Sequence, residues 1–597
     1  MFVANLSHAQ ITDVLVQNDV MMSTRDGVNL ATDVYLPVGN KGQLPAILMR
    51  TPYGKKGYIS TAKAFASQGY GVVVQDVRGR YGSEGEFYIY INEGKDGYDA
   101  LEWIASRQWC NGNVGTYGGS YLAATQNALA VYRPPHLKTM FVVVGTSNYA
   151  EDGVGRGGAF ALLHNMVYTL RLASQGKEAQ KDERVGIALR TAYKDLPDWL
   201  SAAPLSNISP LKWAPSYQLW YSDWRKHAVY DDYWKQIGYN FEEHHSHFPN
   251  VPIYFIGGWY DIFKRGTLKN FSGLSQRNSL TKLLMGPWTH STGIRSAGDV
   301  DFGPKAILSI EEEALRWFDQ FLKGKNLGIL DEPPVKYFLM GGGNGNRDDI
   351  GRLQSGGTWK TALTWPPHGF RCQKLYLHRE GGLVLTAPKS KTEHRFQYDP
   401  RNPVPTVGGN IDFGKHLVPR GPQNQTPPAN YFAAKNQLPL SARHDVLTFE
   451  TPPLEKNLEV TGPIQVILWV SSDAKDTDFT AKLMDVYPPS DHYPAGYAMN
   501  LEDGILRMRF RTSRKKEVLM KPGKVYRIMI DLWATSNLFR KGHRIRLDIS
   551  SSNFPFYDRN PNTGEVLGRH THSVNALNTV YLGPKYPSHL SLPIRHK

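Results

Sequence analysis

The stretch Val114-Gly115-Thr116-Tyr117-Gly118-Gly119-Ser120-Tyr121-Leu122-Ala123 decides the fold. A short apolar run, Val114–Tyr117, stops at two glycines, and a helix-patterned segment, Tyr121–Val131, begins directly after the serine. Strand, tight turn and helix in that order are the setting in which a strained turn lifts a serine hydroxyl clear of a sheet, and small neighbours make the turn passable. The usual pattern has glycine two places after the serine, where this chain has Leu122. Taken alone, Gly-Gly-Ser-Tyr reads equally as a plain helix N-cap.

Outward from this point the same alternation continues. Ala46–Met49, Gly71–Val74 and Met140–Val144 are short, apolar and β-branched, as strands buried on both faces of a parallel sheet must be. Helix-patterned segments Thr61–Ser67 and Asp96–Ser106 lie between them, which predicts a doubly wound α/β sheet. From Glu151 to Phe248 the chain turns helical and aromatic, with Trp199, Trp213, Trp220, Trp224 and Trp234 in one span. Strand-like runs resume at Ile253–Ile256 and Lys282–Met285, and an amphipathic helix follows with Ile310, Ala314, Trp317, Phe318 and Phe321 on one face. Beyond Gly356 the runs Ile464–Val470, Tyr526–Leu532 and Arg544–Ile549 are strand-like and separated by Pro, Gly, Asn and Asp. The expected architecture is an α/β domain over residues 1–150 and 249–355, a helical cap inserted at 151–248, and a β-sandwich or jelly-roll domain over 356–597.

Two more turns stand at strand ends. Ile253–Ile256 runs into Gly257-Gly258-Trp259-Tyr260-Asp261, and Lys282–Met285 runs into Gly286-Pro287-Trp288-Thr289-His290. Open α/β sheets bind ligands beyond the carboxyl ends of their strands. The order Ser120, Asp261, His290 is that of a serine hydrolase built on such a sheet. Asp261 alone would pass as a helix cap and His290 alone as a loop histidine; three coincidences in this order point to catalysis.

Composition narrows the alternatives. With 597 residues, 41% hydrophobic and 21% charged, the chain is long enough for three or more domains at about 100–200 residues each. No apolar run approaches the ~20 residues that cross a bilayer, so no membrane partner is expected. The net charge of +15 is scattered, with only short runs such as Arg514-Lys515-Lys516, and no nucleic-acid partner is expected. Cys110 and Cys372 leave one long-range disulfide or two free thiols open, the free thiols being preferred. Met1 to Ala9 lacks the basic and apolar parts of a signal peptide, although Ser7-His8-Ala9 resembles the residues before a cleavage site. A cytoplasmic location is expected. Homo-oligomerisation is left open.

The motifs Arg50-Thr51-Pro52-Tyr53, Asp76-Val77-Arg78-Gly79-Arg80, Gly118-Gly119-Ser120-Tyr121, Gly258-Trp259-Tyr260-Asp261, Gly286-Pro287-Trp288-Thr289-His290 and Ser472-Asp473-Ala474-Lys475-Asp476-Thr477-Asp478-Phe479 together resemble the X-Pro dipeptidyl-peptidase/cocaine esterase family of α/β-hydrolases. The resemblance covers nearly the whole chain. It implies an α/β-hydrolase domain with a helical cap and a C-terminal jelly roll, no cofactor and no metal, and a small-molecule ester or amide substrate. It further implies Ser120 as nucleophile, His290 as base and then acid, Asp261 as the residue orienting the imidazole, and an oxyanion hole from the Tyr53 hydroxyl and the Tyr121 N–H. Phe263 matches an acyl-pocket position of the cocaine esterase branch, which favours bulky or aromatic acyl groups.

Within the family the branches separate on charge. Amino-acid ester hydrolases carry acids just after the triad aspartate, whereas this chain has Ile262-Phe263-Lys264-Arg265. A cationic pair facing the site would disfavour an ammonium substrate and favour a carboxylate, as in glutaryl acylases; pointing to solvent, it would do neither, and that is the preferred reading. An X-Pro dipeptidyl-peptidase is the alternative enzyme, and a non-catalytic carbohydrate-binding protein the alternative from another class. His244, His245 and His247 fit a solvated loop at least as well as a metal site. Asp473, Asp476, Asp478 and Asp485 lack the glycine and terminal glutamate of a calcium loop, and turn or cap roles are expected. Arg78 and Arg80 are expected to brace the loop after the second strand.

Overall fold

The computed structural model describes residues 13–202, 209–412, 414 and 417–596. Among the described residues, nine strands build the α/β part of the central sheet: β1 (Val14–Ser23), β2 (Asn29–Pro37), β3 (Leu44–Thr51), β4 (Gly71–Asp76), β5 (Cys110–Gly119), β6 (Leu137–Val143), β7 (Ile253–Gly258), β8 (Thr281–Gly286) and β9 (Val335–Gly341). Pairing gives the order β1-β2-β4-β3-β5-β6-β7-β8-β9. From β4 to β9 every pairing is parallel, and β3, β4, β7 and β8 are buried along their whole length, which is why each carries a short apolar run at its centre.

The sheet is mixed rather than wholly parallel. β1 and β2 form an antiparallel pair, and β2 lies antiparallel on β4. β1 is half exposed, so its sequence lacks the continuous apolar signature by which the other strands were read. At the opposite edge Gly357–Ala362 pairs antiparallel with β9, so the sheet continues past residue 356.

Helices Ile59–Ser67, Glu93–Ala105 and Tyr121–Val131 connect the early strands. The amphipathic helix spans Ile310–Phe321 and buries Ala314, Trp317 and Phe318 against the sheet; the Trp317 indole donates to Thr139 Oγ1 of β6 at 2.7 Å. Its start is capped by Ser309, which accepts from the Glu312 N–H, with Glu311, Glu312 and Glu313 set in the positive first turn.

Between β6 and β7 lie the cap helices, chiefly Leu162–Ser174, Glu183–Lys194 and Pro215–Lys226. Trp220, Trp224 and Trp234 are buried within this helical layer and form its core, while Trp213 is exposed. The C-terminal half is a β-sandwich of jelly-roll type. One sheet pairs Leu447–Glu450, Arg544–Ser550, Asp478–Tyr487 and Tyr497–Arg507. The facing strands include Leu458–Ser472, Tyr526–Phe539, Ala576–Leu582 and His589–Arg595. The Ser7-His8-Ala9 reading lies outside the described residues. Among the described residues no helix is long and apolar enough to cross a membrane.

Candidate active site

Ser120 stands between β5 and the helix Tyr121–Val131 with φ 60° and ψ −119°. A non-glycine residue held there stores roughly 1–3 kcal/mol of backbone strain, which the surroundings must over-determine. They do so from two sides. The Ser120 N–H donates to Val143 O at 3.0 Å, pinning the turn to β6. Gly118, at φ +143°, leaves its side-chain position open, and a Cβ placed there would come within 2.5 Å of the Leu122 Cβ. The departure from the usual glycine at 122 is thereby explained: Leu122 is buried in the space Gly118 leaves free.

Asp261 and His290 end two interlocked turns. Beyond β7 and β8, Trp259 N donates to Gly286 O at 2.8 Å and Tyr260 N to Trp288 O at 2.9 Å. A Cβ on Gly258 would meet Trp288 O at 2.2 Å, so only glycine lets the two segments lie this close. The crossing sets His290 Nδ1 2.6 Å from Asp261 Oδ1, with Asp261 fully buried. Asp261 Oδ2 accepts from Phe263 N at 3.2 Å, which leaves the carboxylate little freedom to turn. Since β5, β6, β7 and β8 are consecutive in the sheet, Ser120, Asp261 and His290 all project from one carboxyl edge.

Tyr53 follows β3 on the same edge. Its hydroxyl hydrogen-bonds Ser120 and lies 3.1 Å from the Tyr168 hydroxyl, and burial pushes its pKa up, so it remains a proton donor. Tyr121 begins a helix, where the first N–H groups have no intrahelical acceptor. The Tyr121 side chain is occupied elsewhere, donating to Glu93 Oε1 at 2.8 Å. Phe263 is buried edge-on to His290, with ring centroids 5.6 Å apart, and also meets His164 at 6.3 Å. His164 and Tyr168, both on the cap helix Leu162–Ser174, reach this edge. Burial drives the His164 pKa down to about 3, leaving it neutral.

Reading the sequence missed three residues of the C-terminal half. Asn410 Nδ2 donates to Trp259 O at 3.0 Å and Asp261 O at 2.9 Å, clamping the acid's turn. Asp412 Oδ2 lies 3.9 Å from His290 Nε2, and Arg420 bridges Asp412 Oδ1 and Ser291 Oγ at 3.3 Å each. In the sequence they lie in a glycine-bounded stretch of mixed polar and apolar residues, which carries no periodic signal. Burial is the largest influence on His290 and lowers its pKa; the Asp412 and Asp261 charges and the Asp261 hydrogen bond outweigh it and raise the value to about 9.

Several expectations need correction. Lys264 does not point to solvent: it is fully buried and paired with Glu502. Arg265 Nη1 lies 2.7 Å from both Asp152 and Glu242. Neither charge is free to meet a substrate, because each is neutralised by an acid distant in sequence. Asp476 and Asp478 are buried ion-pair partners of Arg509 and Arg507 rather than turn residues. Asp485 accepts from Asn537 Nδ2 at 3.1 Å and lies 2.8 Å from His543 Nδ1, while Asp473 caps Leu577 N. His245 is half-buried, its Nε2 3.0 Å from Asn270 Oδ1. Arg78 pairs with Asp26 and Asp96 and so braces the loop, and Arg80 does the same through Pro52 O and Leu172 O. Both cysteines are free, Cys110 buried and Cys372 exposed.

Residues 26–292 match the X-Pro dipeptidyl-peptidase (S15) family, and residues 328–591 match the X-Pro dipeptidyl-peptidase C-terminal non-catalytic domain. The chain is 35% identical to the cocaine esterase of Rhodococcus sp. (strain MB1 Bresler), covering 97% of this chain and 98% of that protein. Among solved structures, an α-amino acid ester hydrolase superposes with a TM-score of 0.78 at 25% identity, over 99% of this chain and 98% of that one. An aminopeptidase from a marine sediment Thaumarchaeota archaeon shares the fold, with a TM-score of 0.77 at 24% identity over 100% of this chain and 99% of that one. These matches displace the reading as a non-catalytic carbohydrate-binding protein: the chain belongs to the X-Pro dipeptidyl-peptidase/cocaine esterase family of α/β-hydrolases and is a serine hydrolase acting on carboxylic esters.

Proposed function

We propose that Ser120 attacks the acyl carbonyl and forms an acyl-enzyme, with His290 taking the serine proton and returning it to the leaving group. Asp261 orients the imidazole through Nδ1 and stabilises its charged form. The Tyr53 hydroxyl and the Tyr121 N–H bind the oxyanion, and water then releases the acid by the same steps in reverse. The observation that carries this reading is the 2.6 Å contact of His290 Nδ1 with Asp261, at the same sheet edge as a serine held at positive φ.

On this reading the acyl group lies against the rings of Phe263, His164 and Tyr168, burial keeping the last two neutral. Bulky or aromatic acyl groups therefore fit better than charged ones. The burial and pairing of Lys264 and Arg265 remove the support they would have given to a glutaryl substrate. X-Pro dipeptidyl-peptidase activity remains consistent with the family, and the discriminating substrate is an Ala-Pro anilide. The same proposal includes a small-molecule substrate, no nucleic-acid partner, and a reducing, cytoplasmic location in keeping with two free thiols.

The test is labelling with a fluorophosphonate probe, followed by peptide mapping, alongside a panel of aryl benzoates, aryl acetates, Ala-Pro anilide and glutaryl anilide. Expected are modification at Ser120, preference for benzoates, and loss of at least 10⁴-fold in rate in Ser120→Ala. A Ser120→Ala protein keeping more than a tenth of its activity overturns the assignment.

A further inference from the structure

His290 is approached from both sides. Asp261 holds Nδ1, and on the Nε2 side, where a triad histidine meets its serine and leaving group, stands the carboxylate of Asp412. We propose that Asp412 is a positioning residue of the hydrolase: carried to the site by a loop of the C-terminal half, it faces His290 Nε2 and governs how readily the imidazole takes and keeps the proton of Ser120. This rests on the triad reading given above.

The placement is built rather than incidental. The loop's neck is closed by reciprocal hydrogen bonds, Gly409 N to Gly421 O at 2.8 Å and Gly421 N to Gly409 O at 2.9 Å. Asn410, two residues before Asp412, is clamped to the carbonyls of Trp259 and Asp261. Arg156 Nη2 reaches Asn410 O from the segment entering the cap, at 3.4 Å. Arg420 ties Asp412 back to Ser291, the residue after His290. The loop thus grips both the acid's turn and the base's turn, and Asp412 is only 12% exposed.

At 3.9 Å the carboxylate is too far for a direct hydrogen bond to Nε2, so it leaves that nitrogen's lone pair available to Ser120. It is close enough, in a partly buried site, for its charge to favour the imidazolium strongly. The charged and titratable groups facing His290 among the described residues are Asp261, Asp412, Arg420 and the neutral His164. Asp412 is the larger of the two carboxylate charge effects and Arg420 opposes them. In the reaction this charge stabilises the imidazolium that exists between accepting the serine proton and giving it to the leaving oxygen. In the free enzyme the same charge keeps His290 protonated to higher pH.

Two variants with opposite signs test the proposal on the full chain. In kcat/KM profiles on an aryl ester that does not titrate, Asp412→Asn should move the acid limb down by at least one pH unit, and its alkaline plateau should fall no more than tenfold. Arg420→Gln should move the limb up. Asp412→Glu should restore a wild-type limb. A merely structural role would lower the plateau and the melting temperature without moving the limb, and that result overturns the proposal, as does an unmoved limb in both variants. Fluorophosphonate mapping separates the two failures: an unlabelled Ser120 removes the triad reading and this proposal with it, whereas a labelled Ser120 with unmoved limbs removes the role of Asp412 alone.

Discussion

Arg80 donates through Nε to the carbonyl oxygen of Pro52 at 2.9 Å, fixing the residue from which Tyr53 is hung. Through Nη1 it also donates to Leu172 O at 2.9 Å and to the Tyr217 hydroxyl, so one guanidinium joins the Tyr53 turn to two helices of the cap. The guanidinium is buried over the rings of Phe87 and Tyr81, and its hydrogen-bond partners among the described residues include no carboxylate.

Arg80→Ala should therefore act on stability and on catalysis together. It leaves the Pro52 carbonyl without its described donor, takes one of two donors from Leu172 O, which keeps the Gln175 N–H, and removes packing, a combined loss of about 3 kcal/mol in unfolding free energy. Because the turn before Tyr53 loosens, kcat should fall by about tenfold even at temperatures where the variant is folded. Urea unfolding and steady-state kinetics on one preparation check both. A variant with wild-type kcat would separate Arg80 from the Tyr53 turn and leave it only a packing role.

Tyr53→Phe removes one oxygen and keeps the ring, which packs edge-on to Tyr121 with centroids 6.2 Å apart. If the hydroxyl donates mainly to the transition-state oxyanion, kcat falls by about 10²–10³ and KM changes little. The Tyr121 N–H remains, so activity stays above the uncatalysed rate. The melting temperature should move little, since the hydroxyl's described partners are Ser120 and Tyr168 at the site itself. Unchanged kcat would make Tyr53 a packing residue of the turn after Pro52.

The pH dependence follows from His290. An isolated imidazole titrates near ~6.5. Here burial pulls the value down, but the charges of Asp412 and Asp261 and the hydrogen bond to Asp261 carry it up to about 9. Only neutral imidazole has a lone pair for the Ser120 proton, so the raised value lowers activity at neutral pH. kcat/KM should accordingly rise with pH through about 9 and fall on acidification below it. Profiles between pH 6 and 10 decide this; a plateau already complete at pH 7 would show that the two carboxylates do not hold the proton in the free enzyme.

The parts legible in the sequence share a physical cause. β3, β4, β7 and β8 are buried on both faces, so each carries a short apolar run, which its length and its flanking Gly, Pro or Asp mark as a strand. Asp261 and His290 stand just beyond two of these strands, β7 and β8, while Ser120 directly follows the partly buried β5, and the glycines at 118, 258 and 286 mark close approaches that the backbone makes there. β1 left no comparable mark because half of it faces solvent. Asp412 and Asn410 leave no signal because the contact joins a loop of the second half to turns of the first, and nothing local in a glycine-bounded stretch of mixed character encodes that meeting. Lys264 misled for the same reason. A lysine beside an arginine reads as a solvated pair until its acid, Glu502, arrives from the jelly roll.

That pair supports the final prediction. Lys264 Nζ hydrogen-bonds Glu502 where both side chains are inaccessible to solvent, at the start of the helix Lys264–Ser275 and in the strand Tyr497–Arg507. Asp503 and Arg156 lie alongside, and the Arg156 guanidinium stacks 3.8 Å from the centre of the Trp533 ring, which Lys264 also approaches at 5.7 Å. Removing one partner strands a buried charge, which typically costs about 3–5 kcal/mol, whereas replacing both with apolar residues of similar size is often neutral. Glu502→Ala should therefore lower the unfolding midpoint sharply, and Lys264→Met combined with Glu502→Leu should recover most of it. The helix that Lys264 opens begins directly after Phe263, so the single variant should also raise KM for bulky esters more than for acetates. Chemical denaturation of the two variants, with KM measured for a benzoate and an acetate, reads all three effects. If Glu502→Ala is as stable as the wild type, water must reach the pair, and the two halves of the chain are not joined by a buried charge at this point.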